Sequence, residues 1–159
     1  MQLPYQRRQR WIRVGHLAGS APACAGPPLC HTARLFAILP AMFSAAVLDH
    51  FEHPRNAGDL ADATVVVEVS NPVCGDLLRL AVRLEEGRVA AARFRTLGCV
   101  TSIACSSLLT ELVTGRSLQE VDGITAERIA ERLGGLEPAT RHAADLARDA
   151  VAALLSRAR

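Results

Sequence analysis

The chain has no lysine; all 18 of its basic residues are arginine. We read that absence as a bias of coding composition that assigns no chemistry. Aromatic residues make up 4% of the 159, so aliphatic side chains must fill the core. No Asp or Glu precedes Asp49, whereas Arg7, Arg8, Arg10, Arg13 and Arg34 do, and the part from Met42 onward is mildly acidic. Outside the first forty residues there is therefore no basic surface of the kind that nucleic acid requires. Half the residues are hydrophobic and 21% are charged, a balance that points to a soluble globular chain rather than a disordered or membrane-spanning one. The length suits a single core.

Cysteine is present but not as a disulfide framework. Cys24, Cys30, Cys74, Cys99 and Cys105 are odd in number and widely spaced, in a chain large enough to fold without staples. Reduced thiols in a cytoplasmic setting, used for metal or sulfur chemistry, are the expectation. Residues 1–41 mix arginine, proline and small residues without helical or strand periodicity. They read as a disordered or mis-annotated extension ahead of a natural start at Met42, with a targeting peptide or a Cys24/Cys30/His31 metal site as the alternatives.

From Met42 the pattern becomes regular. Residues 43–52 predict a short helix with Phe43, Val47, Leu48 and Phe51 on one face, ended by His53-Pro54. A valine-rich strand over 64–70 stops at Asn71-Pro72. Strands over 77–85 and 89–97 form a hairpin around Glu86-Gly87. A two-residue loop would set Leu80 against Arg93 on the buried face; a three-residue loop pairs Leu80 with Phe94 and Val82 with Ala92, and is preferred. Cys99 then lies opposite Gly75, one residue from Cys74. Helices follow over 101–114, with Cys105, Leu108, Leu109 and Leu112 along an apolar stripe, and over 118–121, 126–133 and 139–156. The predicted class is α+β, a three-stranded antiparallel sheet packed against helices, with an N-terminal helix and a long C-terminal one.

The open end of the hairpin collects chemistry. Cys74-Gly75-Asp76 places a thiol and a carboxylate two residues apart on one side of an extended chain, able to meet one metal ion. Cys99 follows Gly98 and introduces a helix, whose free N–H groups favour a thiolate. Taken singly, each cysteine reads equally as a buried core residue.

Four segments, Leu48 to Asn56, Asn71 to Asp76, Phe94 to Cys99 and Thr110 to Leu118, resemble in order the signature blocks of the NifU/IscU family of iron–sulfur cluster assembly scaffolds. The resemblance spans 42–159. It implies a scaffold or carrier rather than an enzyme, on which iron and sulfur form a transient [2Fe–2S] cluster. Cys74 and Cys99 would be ligands or sulfur acceptors, and Asp76 an exchangeable oxygen ligand. It also implies a cysteine desulfurase, an iron donor and apo iron–sulfur proteins as partners. The family's third cysteine, after a histidine at the start of the last helix, is missing, because Ala143 follows His142. Either Cys105 or His142 is left to complete the site. The lysine of the family's chaperone-recognition stretch is replaced by Thr140, so the resemblance does not extend to a chaperone. Two alternatives remain: a SufU-like zinc-dependent persulfide acceptor, and a degenerate member that binds no metal.

Overall fold

The computed structural model describes residues 42–72 and 74–158. The expectations for residues 1–41, including the Cys24/Cys30/His31 alternative, lie outside the described residues. The first element, α1 (Ala45–Glu52), begins at Ser44, whose hydroxyl accepts from the Val47 N–H at 3.1 Å and donates to the Leu133 carbonyl. One short side chain thereby caps a helix and ties it to a segment 89 residues away. The predicted apolar face of this helix is corrected: its buried residues are Val47 and His50, not Leu48 or Phe51.

Strands β1 (Val65–Ser70), β2 (Leu77–Glu85) and β3 (Arg88–Leu97) form an antiparallel sheet in the order β1-β2-β3. Leu78, Leu80 and Val82 are fully buried on its inner face, each contributing about 1.5–3 kcal/mol of burial free energy. The predicted register holds, since Leu80 faces Phe94 and Val82 faces Ala92. The loop that produces it differs. Glu85 pairs with Arg88 around a two-residue turn, and a bulge between Arg83 and Leu84 supplies the offset assigned to a third loop residue. Glu86 (φ 50°) and Gly87 (φ 74°) both take the left-handed conformation that a twisted two-residue hairpin turn needs.

Four helices follow: α2 (Val100–Val113), α3 (Leu118–Asp122), α4 (Ala126–Arg132) and α5 (His142–Ala158). Ser117 and Glu120 form a reciprocal capping box at α3, and Thr125 caps α4. A 3₁₀ turn at Pro138–Thr140 separates α4 from α5, so the last helix starts at His142, later than the sequence pattern suggests. Helix α2 packs on β3, α1 and α5, while α5 packs on β1. This central position corrects the expectation of a single apolar stripe on α2. Thr101, Ser102, Ser106, Ser107 and Thr110 are buried together with Cys105, Leu108, Leu109 and Leu112.

Candidate metal centre

Two hydrogen bonds among Asn71, Gly75 and Asp76 brace the link between β1 and β2. The Asn71 N–H donates to the Asp76 carbonyl and the Gly75 N–H to the Asn71 carbonyl, both at 2.9 Å. Gly75 has φ 74°, a conformation that most side chains resist. The Asn71 amide also donates to the main-chain carbonyl of His142 at 3.4 Å, which docks the start of α5 against this link. As a result, one ligand atom from each of Cys74, Asp76 and His142 lies within 4.8 Å of the others. His142 is 71 residues from Asn71, so no local spacing announces the meeting.

Asp76 is the hub. It is 5% exposed, and its carboxylate accepts a hydrogen bond from the Ser102 hydroxyl. Burial alone pushes this carboxyl up, but that hydroxyl, with the neighbouring Cys74 and Cys99 groups, outweighs it and holds it below the usual range. Desolvation first, and then the neighbouring Asp76, raise the Cys74 thiol, although the residue itself is exposed. Cys99 is also exposed and is the N-cap residue of α2, but its side chain makes no capping bond. The group set against the helix start is the Asp76 carboxylate, which takes the Cys99 N–H, an arrangement that the positive end of a helix favours.

Cys74 therefore joins Asp76 and His142 in one group, while Cys99 stands beside it, its Sγ 3.4 Å from the Ser102 hydroxyl that binds Asp76. Of the two residues left to complete the site, the structure brings His142 to Cys74 and Asp76. Cys105 lies fully buried in the hydrophobic core, where desolvation pushes its thiol up to about 12. Two contributors escaped sequence reasoning. Ser102 was unmarked because its partner is 26 residues away. Gly98 is adjacent to a named cysteine, and its role is steric: a Cβ there would stand 2.7 Å from Asp76 Cγ. Only with glycine at this position does Asp76 fit.

The blocks that carried the family resemblance divide in structural role. His50 Nδ1 lies 2.9 Å from Ser107 Oγ, which also accepts the Arg55 N–H at 2.8 Å, and Asn56 donates to Thr110 Oγ1 at 3.1 Å. Arg55 pairs with Asp49 and with Glu111. The 48–56 block thus latches the α1 turn onto α2 and contributes no ligand to the group around Asp76.

An α+β domain with a cysteine, a carboxylate and a histidine converging at the open end of a hairpin defines a class of small domains with a candidate metal-binding group at one end of the sheet. The profile of the family described as "NifU-like N terminal domain" matches residues 42–157, and the chain belongs to that family. It is 43% identical over 110 residues to the iron-sulfur cluster assembly scaffold protein IscU 1 of Archaeoglobus fulgidus, covering 69% of this chain and 72% of that one. The scaffold protein IscU of Haemophilus influenzae is 42% identical over 118 residues, covering 72% and 93%. Among solved structures, a NifU-like protein (N-terminal) from Brucella abortus superposes with a TM-score of 0.60 at 20% identity, over 76% of this chain and 96% of that one. That likeness supports the fold.

Proposed function

We propose that this chain is a scaffold on which iron and sulfur are assembled as a transient [2Fe–2S] cluster for transfer to apo-proteins. The observation that carries the reading is the meeting of Cys74, Asp76 and His142 within 4.8 Å of one another, with the exposed Cys99 thiol beside them, 3.4 Å from the Ser102 hydroxyl that binds Asp76. The relatives named as IscU scaffold proteins support it. Thiolates suit iron as soft donors, imidazole serves in clusters with mixed ligands, and a carboxylate supplies an oxygen corner that exchanges more readily. Cys74, Asp76, Cys99 and His142 are assigned as ligands. Cys105 is left in the core.

In this role the chain is a carrier rather than an enzyme. Its partners are a cysteine desulfurase, an iron donor and recipient apo-proteins, and its setting is cytoplasmic. Among the described residues no helix is long and apolar enough to cross a membrane. Anaerobic incubation with ferrous iron, cysteine, a cysteine desulfurase and a thiol reductant, which supplies the electrons that turn persulfide sulfur into sulfide, should give a visible-absorbing, chelator-labile chromophore. Cys74→Ala and Cys99→Ala should each abolish it; an unchanged spectrum in both variants refutes the ligand assignment.

One observation favours a second reading, in which zinc is held while Cys99 accepts sulfur from the desulfurase. Cys74, Asp76 and His142 lie within 4.8 Å of one another, not far above the separation of about 3.5 Å that tetrahedral zinc imposes on its ligands. Metal analysis of freshly purified protein separates the two. One zinc per chain without iron supports the persulfide acceptor, and colour with iron supports the cluster scaffold.

A further inference from the structure

We infer that Ser102 is a positioning residue for metal capture: its hydroxyl fixes one oxygen of Asp76 and leaves the other for a metal shared with Cys74 and His142. The inference deepens the proposed function and rests on the assignment of those three residues as ligands.

Ser102 sits in the first turn of α2, 1% exposed, and its Oγ donates to Asp76 Oδ2. The same Oγ lies 3.4 Å from Cys99 Sγ. Its backbone is pinned in turn: the Ser106 hydroxyl donates to the Ser102 carbonyl at 2.7 Å, and the Thr96 hydroxyl donates to Ser106 Oγ at 2.7 Å. Thr96 belongs to β3, so the chain Thr96–Ser106–Ser102 carries the position of the sheet to the carboxylate.

The Ser102 hydroxyl is a side-chain donor to Asp76 that is not itself assigned as a metal ligand. It can keep its bond to Oδ2 while Cys74 and His142 turn to a metal, and so it holds the carboxylate in one orientation. Holding Oδ2 restricts Asp76 to binding through a single oxygen. Partners of metal-ligating carboxylates typically change metal affinity by about 10–100-fold when removed.

The test uses the full chain and two probes: zinc affinity, by competition with a chromogenic chelator, and the absorption spectrum of the cobalt(II)-loaded protein. Ser102→Thr keeps a hydroxyl, and Ser102→Val has the same shape without one, so the pair separates hydrogen bonding from packing. Ser102→Val should weaken zinc binding about tenfold or more and alter the cobalt d–d bands, while Ser102→Thr stays within about threefold of the parent. In an Asp76→Ala background, Ser102→Val should add nothing. Should Ser102→Val and Ser102→Thr bind zinc alike, or should Ser102→Val cost as much without Asp76 as with it, the inference is overturned while the ligand assignment stands. Parental zinc affinity in both Cys74→Ala and Asp76→Ala overturns the ligand assignment and this inference with it. Should Ser102→Val fail to fold, Ser102→Ala takes its place with the same expected result.

Discussion

Helix α2 carries two polar clusters that differ in what they leave open. At its start, Ser102 and the Cys99 backbone meet Asp76, with Cys74 and His142 close by and both cysteines exposed. Further along, Ser107, Thr110 and Glu111 meet His50, Arg55 and Asn56 through hydrogen bonds and an ion pair that tie α1 and the turn after it to α2. Both clusters draw residues from segments that a family signature marks, Cys74, Asp76 and Cys99 in the first and His50, Arg55, Asn56, Thr110 and Glu111 in the second. The first gathers thiol, carboxylate and imidazole groups at an open edge; the second holds α1 in place. A signature block therefore identifies residues that the domain requires without saying whether chemistry or packing requires them.

The contrast is most strongly tested at Gly98. A methyl group at this position collides with Asp76, so Gly98→Ala should lower zinc affinity about a hundredfold, equivalent to about 2.7 kcal/mol, in chelator competition. Retention of parental affinity would show that Asp76 is not held where the structure places it.

Ser107→Ala should do the reverse. It leaves the Arg55 N–H and the buried His50 ring without their partner, at a cost of about 2–3 kcal/mol read from the urea midpoint, with zinc affinity unchanged. A loss of zinc binding would break the division between the clusters.

Cys105→Ser sharpens the same line from inside the core. A hydroxyl placed among the apolar neighbours of Cys105 should cost about 1–2 kcal/mol while metal stoichiometry and spectrum persist. Loss of the chromophore would return Cys105 to the ligand set.

The smallest effect is on pH dependence. Desolvation, followed by the charge of Arg55, lowers His50 below its ordinary 6.5. The unfolded chain therefore binds the extra proton first. This contribution to stability is complete above pH 6.5 and is lost as pH falls to and through the folded-state value. Urea midpoints of the parent should decline across that window, and His50→Gln should remove that part of the decline.

Much of the fold was legible because strand and helix periodicities are local properties. The alternation over Leu77–Glu85 gave β2 its bounds, and the clash of Leu80 with Arg93 was enough to select the register. The bulge that delivers this register was not legible, because two-residue and three-residue loops are distinguished by backbone geometry at Glu86 and Gly87. The burial of His50 likewise depends on Ser107, 57 residues away.

By itself the sequence determined the α+β class, the hairpin that brings Cys74 and Cys99 to one end, and the pairing of a thiol with a carboxylate across Gly75. Strand alternation and a one-residue spacer are enough for that. Tertiary structure alone decided between His142 and Cys105 as neighbour of the Cys74–Asp76 pair, and it alone introduced Gly98 and Ser102 around Asp76. The reason is physical: the start of α5 reaches the β1–β2 link through the Asn71 contact with His142, and the turn of α2 carries Cys105 into the core, and neither follows from local sequence.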